Sequence, residues 1–227
     1  MGRAGWVLVA AAAGGAGWAV AEFARPRRAD IRALDPDEVA RLETAMWRSY
    51  YDRRRLPLFG QLVALLRGQF HLQPLRSVAL AGLAARAAAV FQVGASHADY
   101  RRALPYLERY YAGIRAVSEA PFDPVRAADL ELAWWIVHRE VDDHPPGDLE
   151  AALADLAAEL YQVPADRCLA HAARRAEAMT IRDRTSRREV GVTDDDWDRI
   201  EAVLRVSWRA LADEVRVTAS GPAPRPA

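Results

Sequence analysis

Eight times along this chain a proline or a capping residue opens a run of apolar side chains spaced three and four apart, and no stretch alternates apolar with polar. A period near 3.6 residues marks helices packed through one face, so the pattern admits an all-helical fold and little else. Asp35-Pro36-Asp37-Glu38 is the fullest start signal. It has an aspartate to accept from free N–H groups, a proline at the first helical position and a glutamate three residues on. Val39, Leu42, Met46, Trp47 and Tyr50 follow at helical spacing to about Arg54. Pro57 and Pro74 open the second and third helices. Ser96 with Asp99 starts a fourth along Tyr100, Leu104, Leu107, Tyr111 and Ile114, with a kink expected at Pro105. Asp123-Pro124, Asp148, Pro164 and Thr193 with Asp196 start the rest, and no repeat with shared landmarks suggests a solenoid. The expectation is a single all-α, bundle-like domain of about eight helices over residues 35–217. A basic linker (25–34) precedes it and a disordered tail (218–227) follows.

Composition narrows the chemistry. The charges balance, 31 basic against 31 acidic, which gives no case for nucleic acid as a partner. Every basic residue is arginine, so a Schiff-base, Walker or general-base lysine is excluded. The single Cys168 excludes an intramolecular disulfide and a multi-cysteine zinc site. Dinucleotide, P-loop, zinc-protease and nucleophile-elbow motifs are all missing. Ser96, in Gly94-Ala95-Ser96-His97, reads as a helix cap.

Residues 4–21 carry no charge and, as a helix, rise about 27 Å, close to the hydrocarbon thickness of a bilayer. Trp6 and Trp18 lie towards its ends, and Ala13, Gly17 and Ala21 form a small-residue ridge. Residues 1–24 therefore read as a transmembrane anchor or as a signal peptide cleaved near Ala21. Arg25, Arg27, Arg28 and Arg32 outweigh Arg3, which favours an uncleaved anchor with the helical domain on the cytoplasmic side of a bacterial inner membrane. Arg25, Arg27 and Arg28 are then placed to meet anionic lipid headgroups; the basic runs 53–55 and 182–188 read first as solvated faces or helix ends, with lipid contact as the alternative in an anchored chain.

Two carboxylates interrupt apolar stripes. Glu43 sits at the centre of the face made by Val39, Leu42, Met46, Trp47 and Tyr50. Glu131 shares a face with Trp134, Trp135 and His138. A buried carboxylate without partners costs several kcal/mol, so each must be paired, protonated, metal-bound or in a wet cavity. Three readings follow. Arg139, Arg175 and Arg182 are available as buried ion-pair partners. Glu43, Glu131 and His138, with Glu177 as a weaker fourth, form a donor set suited to iron, manganese or zinc. Glu43 or Glu131 stands in a polar ligand cavity as an acid or base; separately, Trp134, Trp135 and Tyr50 are candidates to line a pocket for an apolar ligand. The first needs no cofactor.

The strings LETAMWRSYYDRR (42–54), ELAWWIVHRE (131–140), LYQVPADR (160–167) and RAEAMTIRD (175–183) resemble a group of uncharacterised bacterial helical proteins. The resemblance covers roughly residues 35–215. It implies an all-helical fold with possible membrane attachment and assigns no activity. The combined expectation is a membrane-anchored binding or scaffold protein. The alternatives are a metal-binding bundle or enzyme, and a carrier of an apolar ligand.

Overall fold

Local hydrogen bonding sets the helix boundaries, and most of the start signals operate as the sequence predicts. The computed structural model describes residue 22 and residues 27–219. Asp35 accepts from the N–H groups of Asp37 and Glu38 (3.1 and 3.2 Å) and opens α1, Pro36–Tyr51. Glu38 does not reach back as in a full capping box; its carboxylate takes two bonds from Arg41 instead. The helices α2, Arg55–Phe70, and α3, Pro74–Val93, follow. Ser96 and Asp99 cap each other reciprocally, but they start only the one-turn α4, His97–Tyr100. Pro105 does not kink a longer helix. A 3-10 turn, Arg101–Ala103, intervenes, and the proline sits in the first turn of a separate α5, Leu104–Arg115, where its missing N–H costs nothing.

Asp123 caps α6, Pro124–Arg139. Asp148 is not the cap of α7, Asp148–Tyr161. Gly147 takes that position at φ +102°, a conformation open to glycine, and Asp148 turns to His144 at 3.1 Å. The last two helices are α8, Ala165–Ser186, and α9, Asp194–Ala219, the latter opened by the Thr193/Asp196 capping box. Among the described residues there is no strand, and eight helices exceed eleven residues.

Each long helix packs on the next, and α9 returns to α1. The order α1–α2–α3–α5–α6–α7–α8–α9–α1 closes a ring. Gly113 of α5 admits the close approach of Leu80 from α3; a Cβ there would run into the leucine side chain. The ring interior holds one continuous apolar core, including Leu66, Leu107, Ile114, Ile200, Leu204 and Leu211.

The stretch read as a basic linker belongs to the domain from residue 29 onward. Ala29 makes a parallel bridge to Ser118 through Val117 O and Glu119 N. Ile31 and Leu34 are fully buried, and Arg32 Nε donates to Tyr161 O at 2.9 Å. Arg216 of α9 donates to Leu34 O. Residues 29–34 thus cross one end of the ring, tying α5, α7 and α9 together before the chain enters α1. Residues 4–21, with the proposed anchor and its small-residue ridge, lie outside the described residues, as does the tail beyond residue 219.

Candidate functional site

Glu43 and Glu131 find partners for both of their oxygens inside the ring, in two neighbouring clusters. Glu43 is 2% exposed on α1. Arg175 of α8 donates to its Oε1 through both Nε and Nη2, at 3.0 and 2.8 Å. Trp208 of α9 donates Nε1–H to Oε2 at 2.6 Å. Both carboxylate oxygens are therefore occupied, and the three residues join α1, α8 and α9. Burial opposes the charge on Arg175, but the Glu43 carboxylate outweighs it and holds the guanidinium above its ordinary pKa, with Glu131 adding to the effect. The same guanidinium lies 5.2 Å from the Trp134 ring centroid.

Glu131 on α6 has no arginine bonded to it. Its Oε2 accepts from the Tyr111 hydroxyl and its Oε1 from Trp135 Nε1, both at 2.8 Å. Burial and the Glu131 charge push the Tyr111 hydroxyl well above its usual pKa, and that of Tyr110 as well, so both phenols stay protonated and Tyr111 serves as the donor to Glu131. His138, two turns further along α6, points elsewhere. Its Nε2 meets Asp183 Oδ2 at 3.1 Å, and Arg182 donates to the other oxygen at 2.9 Å. Burial raises the Asp183 carboxyl, but the hydrogen bonds from His138 and Arg182 overcome this and leave it below its ordinary value. Arg182 also stacks on Tyr51, whose hydroxyl burial pushes up to about 12.

This geometry sorts the sequence candidates. Glu43 and Glu131 both face Arg175, whereas His138 is engaged by Asp183. Among the described residues no group of three or more His, Cys, Asp or Glu side chains is placed to hold a metal ion. Glu177 lies on the outer side of α8, paired with Arg174 at 2.7 Å. Arg139 is not a carboxylate partner. It donates to the carbonyls of Phe91 and Gly94 at the end of α3 and packs over the Phe91 and Tyr100 rings. Tyr50 faces outward, 41% exposed, and its neighbour Tyr51 is the one that packs on the core. Trp134 and Trp135 are half-buried and stack edge to face, Trp134 beneath Arg175 of α8 and Trp135 against Phe91 of α3.

Ring closure also brings together a pair that the sequence did not suggest. His171 on α8 and Ser207 on α9 are both buried. Ser207 Oγ donates to His171 O at 2.8 Å, which commits its proton, so His171 Nδ1 is the donor to Ser207. Burial, then the nearby Arg175, lowers the imidazole pKa to about 3. A neutral histidine tied to a hydroxyl whose proton is spoken for is a strut between two helices. Cys168, buried one turn earlier, has its thiol pushed up to about 12 by burial and by Glu214 and Asp166, and is no nucleophile.

The chain matches no protein-family model, no curated protein and no solved structure. Function must therefore be argued from these residues alone. The polar groups at the ring centre hold one another. A further buried polar contact lies at the entry point of the chain. Glu22, 2% exposed, sits on the first turn of α3, where its Oε1 accepts from Arg76 N at 2.7 Å. Gln73, at the N-cap of α3, makes no side-chain capping bond, so Glu22 supplies that cap from outside the helix. No sequence rule pairs residues so far apart. The signal was a lone glutamate directly after an uncharged segment.

Proposed function

We propose that this chain is a membrane-attached helical binding protein whose polar centre is structural. One observation carries the reading. Glu22, the first charged residue after the uncharged segment 4–21, is buried against the start of α3. An apolar helix over residues 4–21 would be followed directly by a residue buried against the domain, and residues 29–34 bind the chain across the ring end. A bilayer-spanning segment so joined would hold the domain flush with the headgroups. Arg27 and Arg28 are exposed beside it, and the excess of arginine after the segment favours the cytoplasmic side.

Cell fractionation tests this. The full chain is expected in the membrane pellet after alkaline carbonate extraction at its uncleaved mass, and a chain beginning at residue 27 in the soluble fraction. Recovery of the full chain as a soluble protein of uncleaved mass would overturn it. A second reading rests on Ala19-Val20-Ala21, which directly precedes Glu22. Signal-peptide cleavage there would leave Glu22 as the first residue of an exported domain. A mature mass starting at Glu22 would select it.

A further inference from the structure

The outer face of α2 and α3 is unlike the rest of the surface. The exposed positions of α3 are Pro74, Val78, Ala79, Gly82, Ala85, Arg86, Ala89, Gln92 and Val93, and only two of these are polar. Val78, Gly82, Ala85, Ala89 and Val93 fall on one stripe at helical spacing. On α2, Leu56 is 88% and Phe59 37% exposed. Among the described residues, α3 is the one helix long and apolar enough to cross a membrane, yet it is a wall of the ring, packed on α2 and α5.

Charge separates this face further. Residues 53–98 contain none of the chain's 31 acidic residues but six arginines: Arg53, Arg54, Arg55, Arg67, Arg76 and Arg86. All but Arg76 are exposed. Several exposed arginines elsewhere meet carboxylates, as Arg41 meets Glu38, Arg48 meets Asp194 and Arg209 meets Asp37. Within residues 53–98 the sequence supplies no acid to do so; the nearest in sequence are Asp52 and Asp99 at its two ends.

We propose that the α2–α3 face is a membrane-contacting surface that lies on an anionic bilayer. Its apolar stripe enters the headgroup boundary and Arg53, Arg54, Arg55, Arg67 and Arg86 meet lipid phosphates. Two observations choose a bilayer over a second copy or a soluble partner. The uncharged segment 4–21 ends at Glu22 on the first turn of α3, so an anchor there would emerge beside this face. The excess of arginine over acid in residues 53–98, around an apolar stripe, is the pattern that anionic lipid attracts, whereas two copies face to face would bring like charges together. The inference rests on the membrane attachment proposed above.

The test uses the full chain in a Cys168→Ala background, reconstituted into vesicles of phosphatidylcholine with phosphatidylglycerol. A polarity-sensitive fluorophore is placed at Val78→Cys or Ala85→Cys, and at Leu169→Cys or Val206→Cys as controls on exposed positions of α8 and α9. Vesicle flotation reads attachment, and quenching by spin-labelled lipid reads the face. The expected result is flotation of all four, with several-fold stronger quenching at 78 and 85 than at 169 and 206. Reversing the face with Val78→Asp and Ala85→Asp should leave flotation by the anchor intact while a label at Phe59→Cys loses its quenching. Flotation with equal or no quenching at 78 and 85 would overturn the face and leave the anchor standing. Failure to float would overturn the attachment beneath it. Disulfide formation between unlabelled Val78→Cys chains under a mild oxidant, with the label at Ala85→Cys shielded from lipid in the labelled protein, would assign the face to a second copy.

Discussion

The interior of the ring and the outer wall of α2–α3 invert the usual distribution of polarity. Inside, Glu43, Glu131, Arg175, Trp135, Tyr111 and Trp208 stand where aliphatic residues are expected. Both Glu43 oxygens and both Glu131 oxygens accept protein donors. Outside, Leu56, Phe59, Val78 and Val93 stand where charged residues are expected, and each keeps an exposed face. A polar group that finds all its partners within the fold serves the fold. An apolar face left without partners points outward, to something the chain meets. The unusual interior residues are therefore a poor guide to activity, and the unusual exterior residues a better one.

The contrast can be broken first at its strongest point. Replacing Glu43 with Ala leaves Arg175 buried without its counter-ion, and should cost about 3–5 kcal/mol in chemical denaturation. A double-mutant cycle with Arg175→Ala should recover a large coupling; additive losses would mean that the pair is incidental.

His171 gives the next largest effect, and its sign is definite. Its folded pKa, about 3, lies below the unfolded value of 6.5. Above pH 6.5 both states are neutral and stability is unaffected. As pH falls below 6.5 the unfolded chain binds a proton that the folded chain refuses. Stability should drop by roughly 2 kcal/mol between about pH 6.5 and 5, before most carboxylates titrate. Urea midpoints should show this slope in the native protein and lose it in His171→Gln.

A smaller loss, about 1–2 kcal/mol, is expected for Trp135→Phe, which keeps the ring packing but strips one donor from Glu131. An unchanged midpoint would show that water replaces the indole. The smallest stability effect belongs to the outer wall. Val78→Asp with Ala85→Asp should shift the denaturation midpoint by less than about 0.5 kcal/mol per site, since surface changes seldom do more. A large loss would place these residues in the core.

Helix starts were the most legible part of the fold, because caps act within four residues. Asp35, Ser96, Asp123 and Thr193 cap as their spacing suggests. Pro105 and Asp148 misled where a second local feature, a 3-10 turn or a left-handed glycine, took over the role. Glu43 and Glu131 were visible as charges within apolar stripes. Their partners were not, since helix periodicity gives each face but not which faces meet. Arg175, Arg139 and Arg182 looked equivalent in sequence and separated only when the ring closed: one on Glu43, one on carbonyls of α3, one on Asp183. Ile31 and Leu34 were hidden by the arginines around them. The wall of α2–α3 had a plain sequence signal, the run without Asp or Glu, which scanning for apolar periodicity passes over.

Hydrogen–deuterium exchange on the full chain, with and without phosphatidylglycerol-containing vesicles, tests the central claim most directly. The account predicts added protection in α2 and α3, over residues 55–93, and unchanged exchange in α8 and α9. Protection confined to α8 and α9, or no change anywhere in residues 27–219, would contradict it.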